Sequence, residues 1–159
     1  MNKKPIFLDL DGVILDSEEL ILQQKEKKKE ISWDDFFSTV DWDTIYKESK
    51  PINNSIEIIK ELEARKEELV ILTKIHTLNE MNAKVYDLRN NREIETPILF
   101  VPPHVKKSEI YIPNNKEILI DDSLKNINDW NNKGGEGILF DINANDNEKQ
   151  KVKSLEFLL

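Results

Sequence analysis

Two pairs of aspartates stand directly after apolar runs and are the residues that point most clearly to chemistry. Asp9 and Asp11 lie in the sequence FLDLDGV, and Asp121 and Asp122 follow the run ILI. Side chains two residues apart on a strand point to the same side, and Gly12 permits a tight turn after the first pair. Because open α/β sheets bind ligands at the carboxyl ends of their strands, both pairs are suited to a binding site there.

Four carboxylates at one place need a positive partner. Two like charges about 4 Å apart repel by about 4 kcal/mol at an effective dielectric constant of about 20, so the cluster is costly unless a cation neutralises it. Mg²⁺ prefers oxygen ligands, whereas zinc sites are built mainly from nitrogen and sulfur. If the strands that carry the two pairs are neighbours, the sequence predicts a Mg²⁺ site.

Two further polar positions follow other apolar runs. Thr73 closes the run LVILT, where its hydroxyl and nearby backbone N–H groups can hold a phosphate oxygen. Lys106 and Lys107 come after the run ILFV and a short loop, and a lysine there supplies positive charge to an anionic substrate. The residues themselves do not decide which of the two lysines does so.

Short strands that alternate with helices would position these residues. Continuous apolar runs are typical of strands in a parallel sheet that is covered on both faces, and right-handed crossovers connect such strands. We predict an α/β fold, a Rossmann-like three-layer sandwich with a central parallel sheet of about five strands. The predicted strands are Ile6–Leu10, Leu69–Thr73, Pro97–Val101, Glu117–Asp121 and Gly137–Phe140.

Helices are predicted between the strands from capping residues and apolar spacing. A last short helix is predicted over Asp146–Phe157. Another helix is predicted after the capping residue Thr77, and the helical spacing of its apolar residues predicts its inward face. These residues are Leu78, Met81, Val85 and Leu88.

Residues 17–50 interrupt the alternation. They are predicted to form a small helical cap inserted after the first strand, with residues 1–16 and 51–159 as the core domain. An insertion of about 35 residues is too short for an independent domain, and its charged run QQKEKKKE is typical of a solvated helix face. Its aromatic residues either pack the cap against the core or line the site: Trp33, Phe36, Phe37, Trp42 and Tyr46.

The composition excludes several classes of function. The 159 residues include 31 Asp and Glu against 23 Lys and Arg, and the formal net charge of −8 argues against binding to a nucleic-acid polymer or an anionic membrane. The absence of cysteine excludes disulfides, thiolate metal sites and a cysteine nucleophile. No segment has the features of a signal peptide or a membrane span, so we expect a cytoplasmic protein. The sequence leaves the oligomeric state open.

The order of these motifs resembles that of the haloacid dehalogenase-like (HAD) hydrolases. The resemblance extends from Ile6 to Phe140 and rests on FLDLDGVILDS, the strand-terminal Thr73, a lysine and ILIDDS. A receiver domain also uses acidic residues, Thr, Lys and Mg²⁺, but its acidic pair precedes Thr and Lys, whereas Asp121 and Asp122 follow them here. The segments DDSLKNINDW and GGEGI further resemble the 5′(3′)-deoxyribonucleotidase-like branch.

The resemblance implies a role for each matching residue. Asp9 would attack phosphorus to form an aspartyl-phosphate, and Asp11 would protonate the leaving oxygen and then activate water. Thr73 would bind the transferring phosphoryl group, and Lys107 would stabilise its charge. The implied Mg²⁺ ligands are Asp9, the backbone carbonyl of Asp11, Asp122 and, directly or through water, Asp121.

The implied activity is that of a Mg²⁺-dependent phosphomonoester hydrolase acting on a small phosphorylated metabolite, with 5′-nucleotides among the candidates. A phosphotransferase or phosphomutase using the same aspartyl-phosphate is the nearest alternative, and a catalytically idle binding or regulatory protein is another. In the nucleotidase branch cap aromatics stack on a base, which contributes ~1–3 kcal/mol per base. The predicted substrate-binding residues are Thr73, Lys74, Lys107, Trp33, Phe37 and Trp42.

Overall fold

The sheet is parallel throughout, and the first aspartate pair directly follows one of its two central strands. The computed structural model describes residues 3–145 and 150–159. Over these residues six strands form one sheet: β1 (Ile6–Leu8), β2 (Leu69–Lys74), β3 (Ile98–Val101), β4 (Ile118–Asp121), β5 (Glu136–Phe140) and β6 (Lys151–Val152). Their order is β3-β2-β1-β4-β5-β6, and each neighbouring pair is parallel. The α/β prediction is confirmed, with one strand more than the five expected.

Helices cover both faces of the sheet, as a three-layer sandwich requires. The α-helices are α1 (Ser17–Glu26), α2 (Trp33–Thr39), α3 (Trp42–Glu48), α4 (Ser55–Ala64), α5 (Leu78–Tyr86), α6 (Lys107–Ile110) and α7 (Leu124–Asn132). Because successive side chains of a strand point to opposite faces, Leu8 enters a core with Ile59 of α4, whereas Phe7 enters a second core with Trp130 of α7. The predicted Rossmann-like architecture is therefore confirmed.

The last predicted helix is wrong over the part of it that the structure describes. Instead of continuing a helix, Lys151–Val152 forms β6 beside β5, and a 3₁₀ turn follows over Leu155–Leu158. Leu139 N–H donates to Gln150 O and Asp141 N–H to Val152 O, at 2.9 and 2.8 Å. These hydrogen bonds join residues 11 positions apart, beyond the reach of a helical turn, so pairing with the sheet edge overrides the local helical preference. The remainder of the prediction, residues 146–149, lies outside the described residues.

Helix α5 presents a different face to the protein from the one that the apolar spacing predicted. Leu78 is 70% exposed, and of the four predicted inward residues Leu88 alone is fully buried. The buried positions of α5 itself are Glu80, Ala83 and Lys84. The pattern failed because the helix directs charged side chains, and not its apolar stripe, toward the end of the sheet.

Residues 17–50, the predicted cap, contain α1, α2 and α3. Asp16 ties the two ends of this segment together, because its backbone N–H donates to Lys50 O at 3.0 Å and its carboxylate accepts from Lys50 N–H at 2.6 Å. Helix α3 packs against α5, and Arg92 donates to Tyr46 O and Ser49 O at the end of α3. The segment is thus fastened to the core through α3.

Within the described ranges, no helix combines the length and the apolar character needed to cross a bilayer.

Candidate active site

The carboxyl ends of β1, β4 and β3 lie at the same edge of the sheet and bring Asp9, Asp121 and Lys107 together. Asp9 follows β1, which lies between β2 and β4, and its N–H donates to Ile120 O of β4 at 2.9 Å. Asp121 ends β4, and Lys107 begins α6, which follows β3. The expectation that the two aspartate-bearing strands are neighbours is confirmed.

Lys107 bridges the two aspartate pairs. Its Nζ lies 2.8 Å from Asp9 Oδ1 and 2.6 Å from Asp121 Oδ2, and all three side chains are buried. Burial by itself lowers the pKa of Lys107, but the charges of the two carboxylates outweigh burial and raise it. Lys106, the alternative, is half-exposed and lies 3.3 Å from Asp129 at the surface. The structure therefore places Lys107 in the site.

Three carboxylates converge within reach of one cation. Asp9, Asp121 and Asp122 each offer an oxygen, and these oxygens all lie within 4.8 Å of one another. Burial and then the charge of Asp121 hold the pKa of Asp9 well above its ordinary value, although Lys107 lowers it. Burial, followed by the charges of Glu18 and Asp121, raises the pKa of Asp122 to about 7. Lys107 alone does not neutralise the cluster, and an oxygen-only donor set suits Mg²⁺.

The backbone at Gly12 makes room for this cluster. A Cβ atom at Gly12 would lie 2.2 Å from Asp122 Oδ2, and the φ angle of +84° is one that other residues rarely adopt. Glycine is therefore required both by the turn after Asp11 and by the position of the Asp122 carboxylate. The residues present fit a divalent cation.

Asp121 has hydrogen-bond donors on both of its carboxylate oxygens. Its Oδ1 accepts from Ser123 N–H at 2.9 Å, and its Oδ2 accepts from Asn126 Nδ2 at 3.1 Å as well as from Lys107. This pattern holds the side chain in one orientation. Asp121 is thus suited to position Lys107 and to support a cation through a bridging water, which is one of the two roles predicted for it.

Asp11 is held by three donors from three parts of the chain. Ser17 and Tyr46 donate their hydroxyl protons to Oδ1, and Lys84 Nζ lies 2.9 Å from Oδ2. Burial by itself raises the pKa of Asp11, but the charge of Lys84 and the hydrogen bonds outweigh burial and lower it. The carboxylate beside the predicted nucleophile is therefore ionised and fixed in this structure.

A cavity of about 390 Å³ opens onto these carboxylates. Its walls include Lys74 at the end of β2, His76 just after that strand and Asn126 of α7, and the predicted cap contributes Leu22 and Phe37. Among the predicted substrate-binding residues, Phe37, Lys74 and Lys107 line it. The other three do not: Thr73, Trp33 and Trp42.

The placement of those three residues has a physical reason in each case. Thr73 is fully buried, and its hydroxyl oxygen accepts from Lys84 Nζ at 2.8 Å. Trp42 is buried between α3 and the core, where its indole N–H donates to Phe37 O at 3.0 Å. Trp33 is 45% exposed and packs edge-on against Phe36. Packing within the predicted cap accounts for both tryptophans.

No protein-family model matches this sequence, and no curated protein is significantly similar to it. Solved structures are similar. YfnB, a HAD-hydrolase of Bacillus subtilis bound to magnesium, superposes with a TM-score of 0.65 at 13% identity, covering 99% of this chain and 97% of that chain. D,D-heptose 1,7-bisphosphate phosphatase of B. bronchiseptica, complexed with magnesium and phosphate, superposes with a TM-score of 0.55 at 17% identity, covering 86% of this chain and 80% of that chain. A dehalogenase with an intermediate complex gives 0.65 at 13% identity, with 98% and 95% covered.

This chain has the haloacid dehalogenase-like fold. At 13–17% identity the likeness establishes the fold and does not extend to a reaction. The 5′(3′)-deoxyribonucleotidase-like branch stays a prediction, and so do the roles of the individual residues.

Three residues of this site were not predicted from the sequence. Lys84 and Glu80 come from the buried face of α5, and His76 follows β2. Tyr46 of α3 is one of the cap aromatics for which the sequence left both packing and a place in the site open, and its hydroxyl group reaches Asp11. The signal that could have found Lys84 is its spacing of one helical turn from Glu80, which indicates a pair on one face.

Proposed function

We propose that this protein is a HAD-superfamily phosphomonoester hydrolase that requires Mg²⁺ and forms an aspartyl-phosphate on Asp9. The observation that carries the proposal is the convergence of Asp9, Asp121 and Asp122 around Lys107 at the end of the sheet. A phosphate group is the anion that such a site accepts once a cation is bound, because cation and lysine then both face it.

Each residue has a task in this reaction. An oxygen of Asp9 attacks phosphorus, the bond from phosphorus to the ester oxygen breaks, and Lys107 stabilises the negative charge of the transferred group. Asp9 and Asp122 would hold the Mg²⁺ ion together with the backbone carbonyl of Asp11, and Asp121 would support it. The ion, when bound, supplies positive charge to the phosphate and offsets the repulsion between phosphate and carboxylate.

Asp11 is assigned the proton transfers. In the structure Lys84 and two hydroxyl groups keep its pKa low and the carboxylate ionised, which is the protonation state that a base needs to take a proton from water when the aspartyl-phosphate is hydrolysed. For the first step Asp11 must carry a proton to the leaving oxygen. A phosphate dianion beside the carboxylate raises its pKa, because like charges disfavour the ionised form. Substrate binding therefore prepares Asp11 for that step.

The substrate is a small phosphorylated metabolite, and 5′-nucleotides belong in the panel to be tested. The cavity has the size of a small-molecule site, and Phe37 offers one aromatic surface to a base. Transfer of the phosphoryl group to a second alcohol instead of water stays the nearest alternative, and an idle binding protein is the other.

Hydrolysis of p-nitrophenyl phosphate, with a panel of sugar phosphates and nucleotides, tests the proposal. We expect turnover in Mg²⁺, none with chelator, and none in Asp9→Asn. Lys107→Met should lose at least ~100-fold in kcat, as for removal of one charge-stabilising group, whereas Lys106→Met should keep the parent rate. Turnover that resists chelator or survives Asp9→Asn would remove the metal or the nucleophile from the proposal, and a product phosphorylated on a second alcohol would favour the transferase.

A further inference from the structure

His76 is held by hydrogen bonds in the wall of the cavity. It follows β2 and lines the cavity together with Lys74. Its backbone N–H donates to Glu80 Oε2, and its Nδ1 lies 3.1 Å from the same oxygen. Glu80 is buried on α5, where Lys84 Nζ lies 3.5 Å from its other oxygen. Because a carboxylate in these contacts accepts hydrogen bonds, Nδ1 carries a proton.

Aromatic stacking fixes the plane of the His76 ring. Phe37 from α2 stacks on the imidazole with ring centres 3.7 Å apart and planes inclined by 19°. Trp42 lies parallel to it at 6.4 Å, with planes inclined by 2°. With one nitrogen held by Glu80 and one face covered, the ring has a defined orientation. Its second nitrogen, Nε2, has no hydrogen-bond partner among residues 3–145 and 150–159, so it is the atom available to a ligand.

We propose that His76 is a specificity-determining residue whose Nε2 binds a hydroxyl group on the alcohol part of the substrate. The inference rests on the proposed function, since it concerns the leaving group of the same phosphomonoester. A hydroxyl is the group that suits this atom, because it donates to Nε2 of a neutral imidazole and accepts from Nε2 of a protonated one. The His76 side chain is 43% exposed, so an alcohol without a further hydroxyl leaves Nε2 to water and gains no hydrogen bond from it.

The rest of the cavity is consistent with a polyol or sugar phosphate. Asp9 and Lys107 stand at the end of the sheet, where the phosphate is bound in the proposed reaction. Ile21, Leu22 and Phe37 form an apolar wall from the predicted cap, which can cover the carbon skeleton of the alcohol. His76 and Asn126 supply polar groups beside that wall. The substrate class is therefore a phosphate monoester of a hydroxylated alcohol.

A matched pair of esters tests the inference. Ribose 5-phosphate and tetrahydrofurfuryl phosphate share the ring and the phosphate ester, but the second lacks the ring hydroxyls. We expect the parent protein to prefer ribose 5-phosphate. In His76→Phe, which keeps a ring against Phe37 and loses both nitrogens, kcat/KM for ribose 5-phosphate should fall about 10-fold through KM, as for loss of one hydrogen bond. The value for tetrahydrofurfuryl phosphate should change by less than about 2-fold.

Two further variants separate binding by Nε2 from support of the fold. His76→Gln places an amide near the position of Nε2 and should restore part of the preference. His76→Asn places its amide near Nδ1 and should not. His104→Asn removes the other histidine, which lies in a loop with φ of +65° that Asn tolerates, and serves as the control with unchanged kinetics.

The outcomes distinguish this inference from the function on which it rests. Equal losses on both esters in His76→Phe, or no loss on either, overturn the role of His76 and leave the hydrolase standing. Absence of Mg²⁺-dependent turnover of these esters and of p-nitrophenyl phosphate by the parent protein overturns the proposed function and this inference with it.

Discussion

A fully buried lysine is the unexpected feature of the site at the scale of single residues. Lys84 Nζ lies 2.6–2.9 Å from three oxygens, those of Asp11, Thr73 and the Lys74 carbonyl, and 5.5 Å from the centre of the Tyr46 ring. Removing an ammonium group from water is costly, and these partners offset that cost. Lys84 thereby joins the end of β2 to the carboxylate that is assigned the proton transfers.

Lys84→Met should lower the free energy of unfolding by about 3 kcal/mol, because it leaves the carboxylates of Asp11 and Glu80 without their buried cation. Urea denaturation measures the change. Lys106→Met is the matched control. Lys106 is half-exposed, with its Nζ 3.3 Å from Asp129, and such a surface pair contributes less than about 1 kcal/mol. Equal losses in the two variants would contradict the stabilising role of Lys84.

At the scale of elements, the turn after β1 decides where Asp122 lies. Gly12 and Gly134 both have positive φ angles, +84° and +102°, so alanine at either position strains the backbone. They differ in what an added Cβ would meet, which is the Asp122 carboxylate at Gly12 and the carbonyl of Pro113 at Gly134. Comparison of alanine at the two positions therefore separates the effect of backbone strain from an effect on metal binding.

Gly12→Ala should weaken Mg²⁺ binding by at least ~10-fold, as for displacement of groups that orient a metal ligand. Both substitutions should lower the free energy of unfolding by ~1–3 kcal/mol through backbone strain. Gly134→Ala, however, should bind Mg²⁺ like the parent protein. Isothermal titration calorimetry measures the affinity. Parent-like affinity in a folded Gly12→Ala protein would show that Asp122 does not hold the ion.

Arg92 ties the C-terminal end of helix α3 to the core, in addition to the packing of α3 against α5. Arg92 Nη2 donates to Tyr46 O at 2.9 Å and to Ser49 O at 2.7 Å, and its Nε lies 2.6 Å from Asp87. Arg92→Gln should speed hydrogen exchange of the amides of α3 by at least ~10-fold, because the helix loses its anchor. Arg65→Gln, at the exposed end of α4, should leave exchange in α3 unchanged. Parent-like exchange in Arg92→Gln would contradict the anchoring role.

At the scale of the whole molecule, the candidate site accounts for part of the excess of acidic residues. The net charge of −8 argues against polyanionic partners, yet three of the acids are gathered where a cation would make the site attractive to phosphate. Bringing these carboxylates together without a cation costs free energy, because like charges repel. That cost is visible in the raised pKa values of Asp9 and Asp122.

The cost predicts how metal-free stability changes with pH. The pKa of Asp122 rises from 3.8 to about 7 on folding, chiefly through burial, so between these values the folded protein binds the proton more tightly than the unfolded chain. The contribution of Asp122 to the free energy of unfolding should therefore fall as pH rises from about 4 to about 7. Asp122→Asn lacks this contribution. Urea denaturation in the presence of chelator measures the free energy of unfolding of both proteins. The value for the parent protein minus that for Asp122→Asn should decline as pH rises over that window, and an increase would contradict the prediction.

The sheet, the acidic cluster and the presence of α5 were predictable, whereas the buried face of α5 and strand β6 were not. Asp9 and Asp121 each interrupt or end an apolar run, a pattern that has few explanations other than the end of a buried strand. Glu80 and Lys84 look in sequence like the solvated face of an amphipathic helix, because their partners Asp11 and His76 come from other elements. Lys151–Val152 is a strand of only two residues beside β5, too short to show the alternating or continuous apolar pattern that predicts a strand.

Trapping the phosphorylated protein tests the central claim most directly. Asp11→Asn removes the base that activates water, so a phosphoryl group transferred to Asp9 should persist in that variant. After incubation with Mg²⁺ and p-nitrophenyl phosphate, whose p-nitrophenolate leaves without a proton from Asp11, acid quenching and mass spectrometry should find one phosphoryl group on the peptide that contains Asp9. The double variant Asp9→Asn, Asp11→Asn should carry none. Steady hydrolysis by the parent protein, with no phosphoryl group on Asp9 in the trapped variant, would contradict the account.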